Sequence, residues 1–231
     1  MTEARGPYPQ LPLGVGLKDD ATFANFLAGP NSEAVAVLQA EAERALYLWG
    51  GWGSGRTHLL QAACHACAAA GGAPAYLPLS EFKSLDPAVL EGLEAAPLVT
   101  LDDVQAVAGR GDWEAALFDL YNRVREAGGR LVAVADAPPA GLGLALPDLA
   151  SRLGWGPVYH LQPLDDDQKM AALRARAGRR GLELGEEVVR YLLRRCPRDL
   201  HSLFALLERL DHASLAAQRR LTIPFVRDFL G

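Results

Sequence analysis

Between Tyr47 and Leu60 the chain reads YLWGGWGSGRTHLL, and no other segment limits the fold as much. An apolar run ends at Trp49, a glycine-rich stretch follows, and helical periodicity begins near Thr57. Glycines free the backbone to curl so that several amide N–H groups turn toward one point. The helix opening there adds the positive end of its dipole. Gly50, Gly55, Arg56 and Thr57 fit GxxxxGK[ST] with one departure, arginine in place of lysine. The segment therefore reads as a phosphate-binding loop. Its candidate cofactor-binding residues are Gly50, Gly53, Gly55, Arg56, Thr57 and His58, with the Thr57 hydroxyl available to Mg2+. Arginine keeps the charge but is planar and bulkier, so binding should survive the exchange better than hydrolysis. Taken alone, the motif also fits a strand-to-helix turn with no ligand.

A second motif narrows the choice. Leu98 to Asp103 (LVTLDD) is an apolar strand ending in paired acids. In phosphate-loop proteins such a strand lies beside the loop strand, and its first acid holds the water shell of Mg2+. Two adjacent carboxylates at a buried strand end are costly without a cation or donors nearby. Asp102 and Asp103 thus join the candidate nucleotide site, with Thr57 and Asp102 as the metal-facing pair.

Strand-like runs at 44–49, 75–77, 98–101, 131–135 and 158–161 alternate with helical stretches at 33–43, 57–70, 113–127 and 146–153. The runs are short and apolar on both faces, which predicts a five-stranded parallel sheet with helices on both sides, an α/β fold. After Pro163 the strand pattern stops, and helices are expected near 166–180, 186–195, 198–214 and 223–230. Asp165 or Asp166 is a candidate cap for the first of these, and Thr222 before Ile223 and Pro224 opens the last. The expected organisation is a flexible tail over 1–20, rich in Gly and Pro, a nucleotide-binding core over 21–163, and a small helical lid over 164–231.

Composition excludes more than it identifies. A net charge of −5 gives no basic footprint, so direct DNA binding has no support from composition. The basic clusters at 174–180, 190–198 and 219–220 read as solvated helix faces. There is no charged n-region followed by an apolar run at the start, and no stretch long enough to span a membrane, so a cytoplasmic protein is expected. Cys64 and Cys67 form a CxxC without a second ligand pair. In an alanine-rich helical run they read as a packed face, with His65 between them.

Taken together, these segments resemble the AAA+ module of the DnaA family of bacterial replication initiators. FANFLAGPN (23–31) is similar to that family's entry segment, which lies near the nucleotide base, LVTLDDVQAVAGR to its second phosphate motif and LASRLGWGPVYHLQPL to its arginine-finger segment. The likeness is closer to the shorter Hda branch, the regulatory inactivators of DnaA. QLPL near the start, the arginine in the phosphate loop, ALFDLYNRV, LPDLASRLGWG and AAQRRLTIPFV all look like that branch.

The resemblance implies roles. Gln10, Leu11 and Leu13 fall on the sliding-clamp-binding peptide, a glutamine with two apolar anchors. Arg152 matches the arginine finger, a residue that acts in trans on a neighbour's γ-phosphate. Arg198 matches the sensor-2 arginine of the lid, and Asp136 the sensor-1 position. The implied cofactor is ADP or ATP with Mg2+. The implied partners are the initiator DnaA, the DNA polymerase III sliding clamp, and DNA through that clamp; a homo-oligomer stays open. The implied function is stimulation of ATP hydrolysis by DnaA, which prevents re-initiation, so the reaction belongs to the partner's site. The absence of sequence beyond the lid is expected to mean no DNA-binding domain. Two alternatives stand at this stage, a loader or remodeller that hydrolyses its own ATP and a clamp adaptor that contributes no catalytic group.

Overall fold

The computed structural model describes residues 17–18, 21–197 and 199–230. The chain divides into two compact units, the first ending at Gln162 and the second beginning at Pro163.

The first unit is built on five parallel strands, β1 Ala45–Trp49, β2 Ala75–Pro78, β3 Leu98–Asp102, β4 Arg130–Ala135 and β5 Val158–His160, in the order β2-β3-β4-β1-β5. Its helices are α1 Ser32–Ala40, α2 Arg56–Ala69, the short α3 Leu79–Phe82, α4 Gly111–Glu126 and α5 Pro147–Leu153. Successive residues of a strand face opposite sides, and the core follows that alternation. Tyr47, Leu131, Ala133 and Ala135 face the layer holding Trp113, Leu117 and Leu120 of α4. Leu46, Leu48, Val132 and Val134 face Leu59, Leu60, Ala63 and Cys64 of α2. The predicted two-sided sheet is therefore present, but β5 departs from it. As an edge strand paired only with β1, it leaves Val158 and His160 exposed.

Other differences are local. The helix expected over 33–43 stops at Ala40, where Glu41 turns left-handed at φ 54°. Residues 79–107, read only for their strand, also hold α3 and three 3-10 turns. Cys64 is fully buried, its Sγ 3.4 Å from the Thr100 hydroxyl. Burial raises its pKa to about 11.

The second unit contains α6 Asp166–Arg179, α7 Glu186–Arg195, α8 Leu200–Ala217 and α9 Ile223–Leu230 around Leu173, Val189, Leu192, Leu207 and Val226. Asp165 caps α6 through a reciprocal box with Gln168. Asp199 caps α8, two residues later than expected, by accepting from the Ser202 N–H. The basic clusters are partly spent inside this unit. Arg176 and Arg180 share Glu208, and Arg190 pairs with Glu186 one turn earlier.

Candidate functional site

Register brings the motifs to one edge of the sheet. Trp49 pairs with Ala135, and Leu101 with Ala133, so Gly50, Asp102 and Asp136 all emerge at the carboxyl ends of adjacent strands. Gly50 extends the ladder by donating to the Ala135 carbonyl at 3.2 Å. From there the loop passes through left-handed Gly53 (φ 77°) and Gly55 (φ 94°) into α2.

Glycine at 55 answers two demands. Its φ lies where a side chain is strained, and a Cβ there would meet Phe26 Cε2 at 2.5 Å. A Cβ at Gly50 would come within 2.6 Å of the Leu161 carbonyl oxygen. Gly55 offers no side-chain cap, so the first N–H groups of α2 face the loop without intrahelical partners. Phe26 also lies 5.4 Å from the His58 ring, and His58 Nε2 is 2.9 Å from the Thr22 carbonyl. The His58 imidazole thus fastens the N-terminal segment to α2, leaving only its backbone for the phosphate side.

Asp102, at the end of β3, is 2% exposed. Its Oδ2 accepts from Tyr76 at 2.8 Å, whereas Oδ1 has no hydrogen-bond partner among the described residues. Burial raises its pKa above the usual carboxylate range and Asp103 pushes the same way; hydrogen bonding from Thr57 and Tyr76 and the charge of Arg56 oppose. Asp103 adopts the left-handed region at φ 55°. Its carboxylate accepts from Ser80 Oγ at 3.1 Å and Gln105 Nε2 at 2.9 Å, with Arg56 Nη2 at 3.7 Å. Gln105 Oε1 in turn accepts the backbone N–H of Asp136 at 3.2 Å, tying the second acid to the end of β4. The Asp136 side chain itself is exposed.

Three buried polar atoms here lack partners among the described residues: Ser54 Oγ, Arg56 Nη1 and Asp102 Oδ1. Buried polar atoms are normally paired, and leaving one unpaired costs about 1–3 kcal/mol. Three in one loop-and-strand cluster fit a site shaped for phosphate oxygens and a hydrated divalent cation. The donor set suits both, with helix N–H groups and Arg56 for anionic oxygens, and the Thr57 hydroxyl and a buried carboxylate for the cation's shell.

Among the remaining candidates, Arg152 lies in the last turn of α5, its guanidinium 4.6 Å from the Trp155 ring centre. Gln10, Leu11, Leu13 and Arg198 fall outside the described residues. Tyr76, Ser80 and Gln105 escape sequence reasoning, because each is an ordinary polar residue until the strands align. Glu114 does too. Fully buried in α4, it accepts from the backbone N–H groups of Gly109, Ala145 and Leu146 and so fixes the approach to α5. A buried acid in an otherwise apolar helix face is the signal that could have found it.

Residues 166–230 match the family model for the Hda lid domain. The structure is similar to domain III of the Thermotoga maritima replication initiation protein DnaA, with 25% identity and a TM-score of 0.78, covering 93% of this chain and 98% of that one. It is also similar to AMPPCP-bound DnaA from Aquifex aeolicus, at 24% identity and TM-score 0.69 over 83% of this chain and 66% of that one. A third likeness is to the Thermotoga maritima RuvB Holliday junction branch migration motor, at 14% identity and TM-score 0.68 over 90% and 70%. These last two speak to the fold alone.

Proposed function

We propose that this chain, whose residues 166–230 match the Hda lid model and whose structure is similar to domain III of DnaA, is a nucleotide-held, DnaA-related regulator of replication initiation. The observation that carries the reading is the convergence of Ser54 Oγ, Arg56 Nη1 and Asp102 Oδ1, buried and unpartnered, at the start of α2. ADP or ATP with Mg2+ would satisfy them. The loop N–H groups from Gly50 to Gly55, Arg56 and the α2 N-terminus hold the phosphates, Thr57 and Asp102 face the cation, and Arg198 is carried over as the sensor-2 arginine of the lid.

The nucleotide is a structural effector in this reading. Asp103, the second acid, is occupied by Ser80, Gln105 and Arg56. A carboxylate so engaged is poorly placed to take a proton from water, which favours holding a nucleotide over turning it over. The catalytic contribution is Arg152, presented in trans to the ATP of DnaA, where an arginine finger raises turnover by about 10³ or more. Gln10, Leu11 and Leu13 anchor the protein to the sliding clamp on DNA. Among the described residues no helix is long and apolar enough to cross a membrane; the proposed working compartment is the cytoplasm.

The test measures loss of ATP from DnaA with DNA-loaded clamp, with and without this protein and its Arg152→Ala variant. Stimulation by the parent chain that disappears in Arg152→Ala is expected. An Arg152→Ala protein that stimulates normally leaves only a tethering adaptor. Steady ATP hydrolysis by the purified chain alone would instead indicate a motor.

A further inference from the structure

Next to α5 two arginines share one indole, and neither pairs with an acid among the described residues. Trp155, just past the helix, is 54% exposed, and its backbone N–H donates to the Arg152 carbonyl at 3.2 Å. The guanidinium of Arg125, from α4, lies 4.1 Å from the Trp155 ring centre, and that of Arg152 lies 4.6 Å from it. Arg152 also approaches the Phe118 ring at 5.7 Å. Phe118, Tyr121 and Arg125 recur at helical spacing along α4, one stripe that faces these residues.

Two like charges on one ring repel, and surface arginines commonly find carboxylates. Arg123, two residues away, pairs with Glu94 at 3.1 Å. Arg125 and Arg152 have no ion pair among the described residues, and the Arg152 Nε is buried without an acceptor. Stacking on an aromatic ring fixes a guanidinium while leaving its donor edge free. Two such forks beside an exposed indole suit a polyphosphate, whose successive groups accept bidentate bonds.

We propose that Arg125 is a second cation of the trans site and Trp155 the positioning residue that holds both arginines, so that the pair receives the polyphosphate of a nucleotide bound by a neighbouring AAA+ subunit. The inference rests on the trans role of Arg152 above and extends it. Arg152 addresses the terminal phosphate, and Arg125 adds charge that a triphosphate uses more fully than a diphosphate, giving preference for an ATP-bound neighbour.

The experiment follows single-turnover ATP loss from ATP-loaded DnaA on DNA-loaded clamp, over a range of salt concentrations. Arg125→Ala should slow the reaction roughly five-fold and flatten its salt dependence, and Arg125→Lys should recover most of the rate. Trp155→Leu, which keeps apolar bulk, should slow it similarly, whereas Trp155→Phe should stay near the parent rate. ADP binding by this chain and its melting temperature should be unchanged in all four. Parent-like rates in Arg125→Ala and Trp155→Leu alongside an inactive Arg152→Ala would overturn this inference and leave the proposed function standing. Loss in Trp155→Leu accompanied by lower melting and weaker ADP binding would also overturn it, as the indole would then be supporting the fold. Full stimulation by Arg152→Ala would overturn both.

Discussion

Replacing Gly55 with alanine tests the construction of the phosphate loop independently of any partner. At φ 94° a Cβ is strained by roughly 1–2 kcal/mol. The same Cβ would meet Phe26 Cε2 at 2.5 Å, far inside contact distance. The Phe26 ring can retreat only by giving up its packing beside His58, 5.4 Å away, and overpacking of this kind costs about 1–3 kcal/mol. The expected total is about 2–5 kcal/mol, or a fall of roughly 5–15 °C in melting temperature for a unit of this size. The two contributions separate in a double-mutant cycle. With Phe26→Ala already in place the clash is gone and only backbone strain remains, so the added cost of Gly55→Ala should drop to about 1–2 kcal/mol. Urea unfolding of the four proteins, followed by circular dichroism, supplies the numbers. An equal penalty in both backgrounds would refute the packing argument, and a penalty below about 1 kcal/mol in the parent would refute the strain argument as well.

Three further outcomes follow from particular contacts. Asn31 is buried and exchanges two hydrogen bonds with the Gln162 backbone, at 3.0 and 2.8 Å, so Asn31→Ala should cost about 2–4 kcal/mol, read from the same urea curves. For Asp102, burial raises the folded-state pKa above the unfolded value, so the group weakens folding when ionised and ceases to do so once protonated. Without nucleotide, Asp102→Asn should therefore melt higher than the parent at neutral pH by a few degrees. That advantage should shrink as pH falls through the folded pKa and be gone below the ordinary carboxylate value; a variant that melts lower at neutral pH would show that the Thr57 and Tyr76 hydrogen bonds outweigh burial. Cys64, enclosed and with its pKa raised to about 11, should resist iodoacetamide at mildly alkaline pH while the partly exposed Cys67 and Cys196 are labelled, as peptide mass spectrometry would register.

What the sequence by itself determined about this protein is what local physics specifies. Short apolar runs placed all five strands to within one residue, because a strand covered on both faces writes its burial in its own side chains. The cap of α6 was narrowed to Asp165 or Asp166 for the same reason, and the structure chose Asp165. The loop glycines and the paired acids at 102 and 103 are also legible. The edge exposure of β5 was not legible, since an apolar strand reads alike at an edge or in the centre until its neighbours are known.

Tertiary structure alone decided what surrounds the motifs. The order β2-β3-β4-β1-β5 sets the two phosphate motifs and the end of β4 at one edge. Tyr76, Ser80 and Gln105 then meet Asp102, Asp103 and Asp136 across 26, 23 and 31 residues of chain. Gly55 is doubly constrained only because Phe26 packs on it. Arg125 reads as an ordinary helix arginine until α4 brings it to Trp155. Sequence patterns report on neighbours within about one helical turn, whereas these pairings depend on how loops close and strands stack, which no single segment encodes.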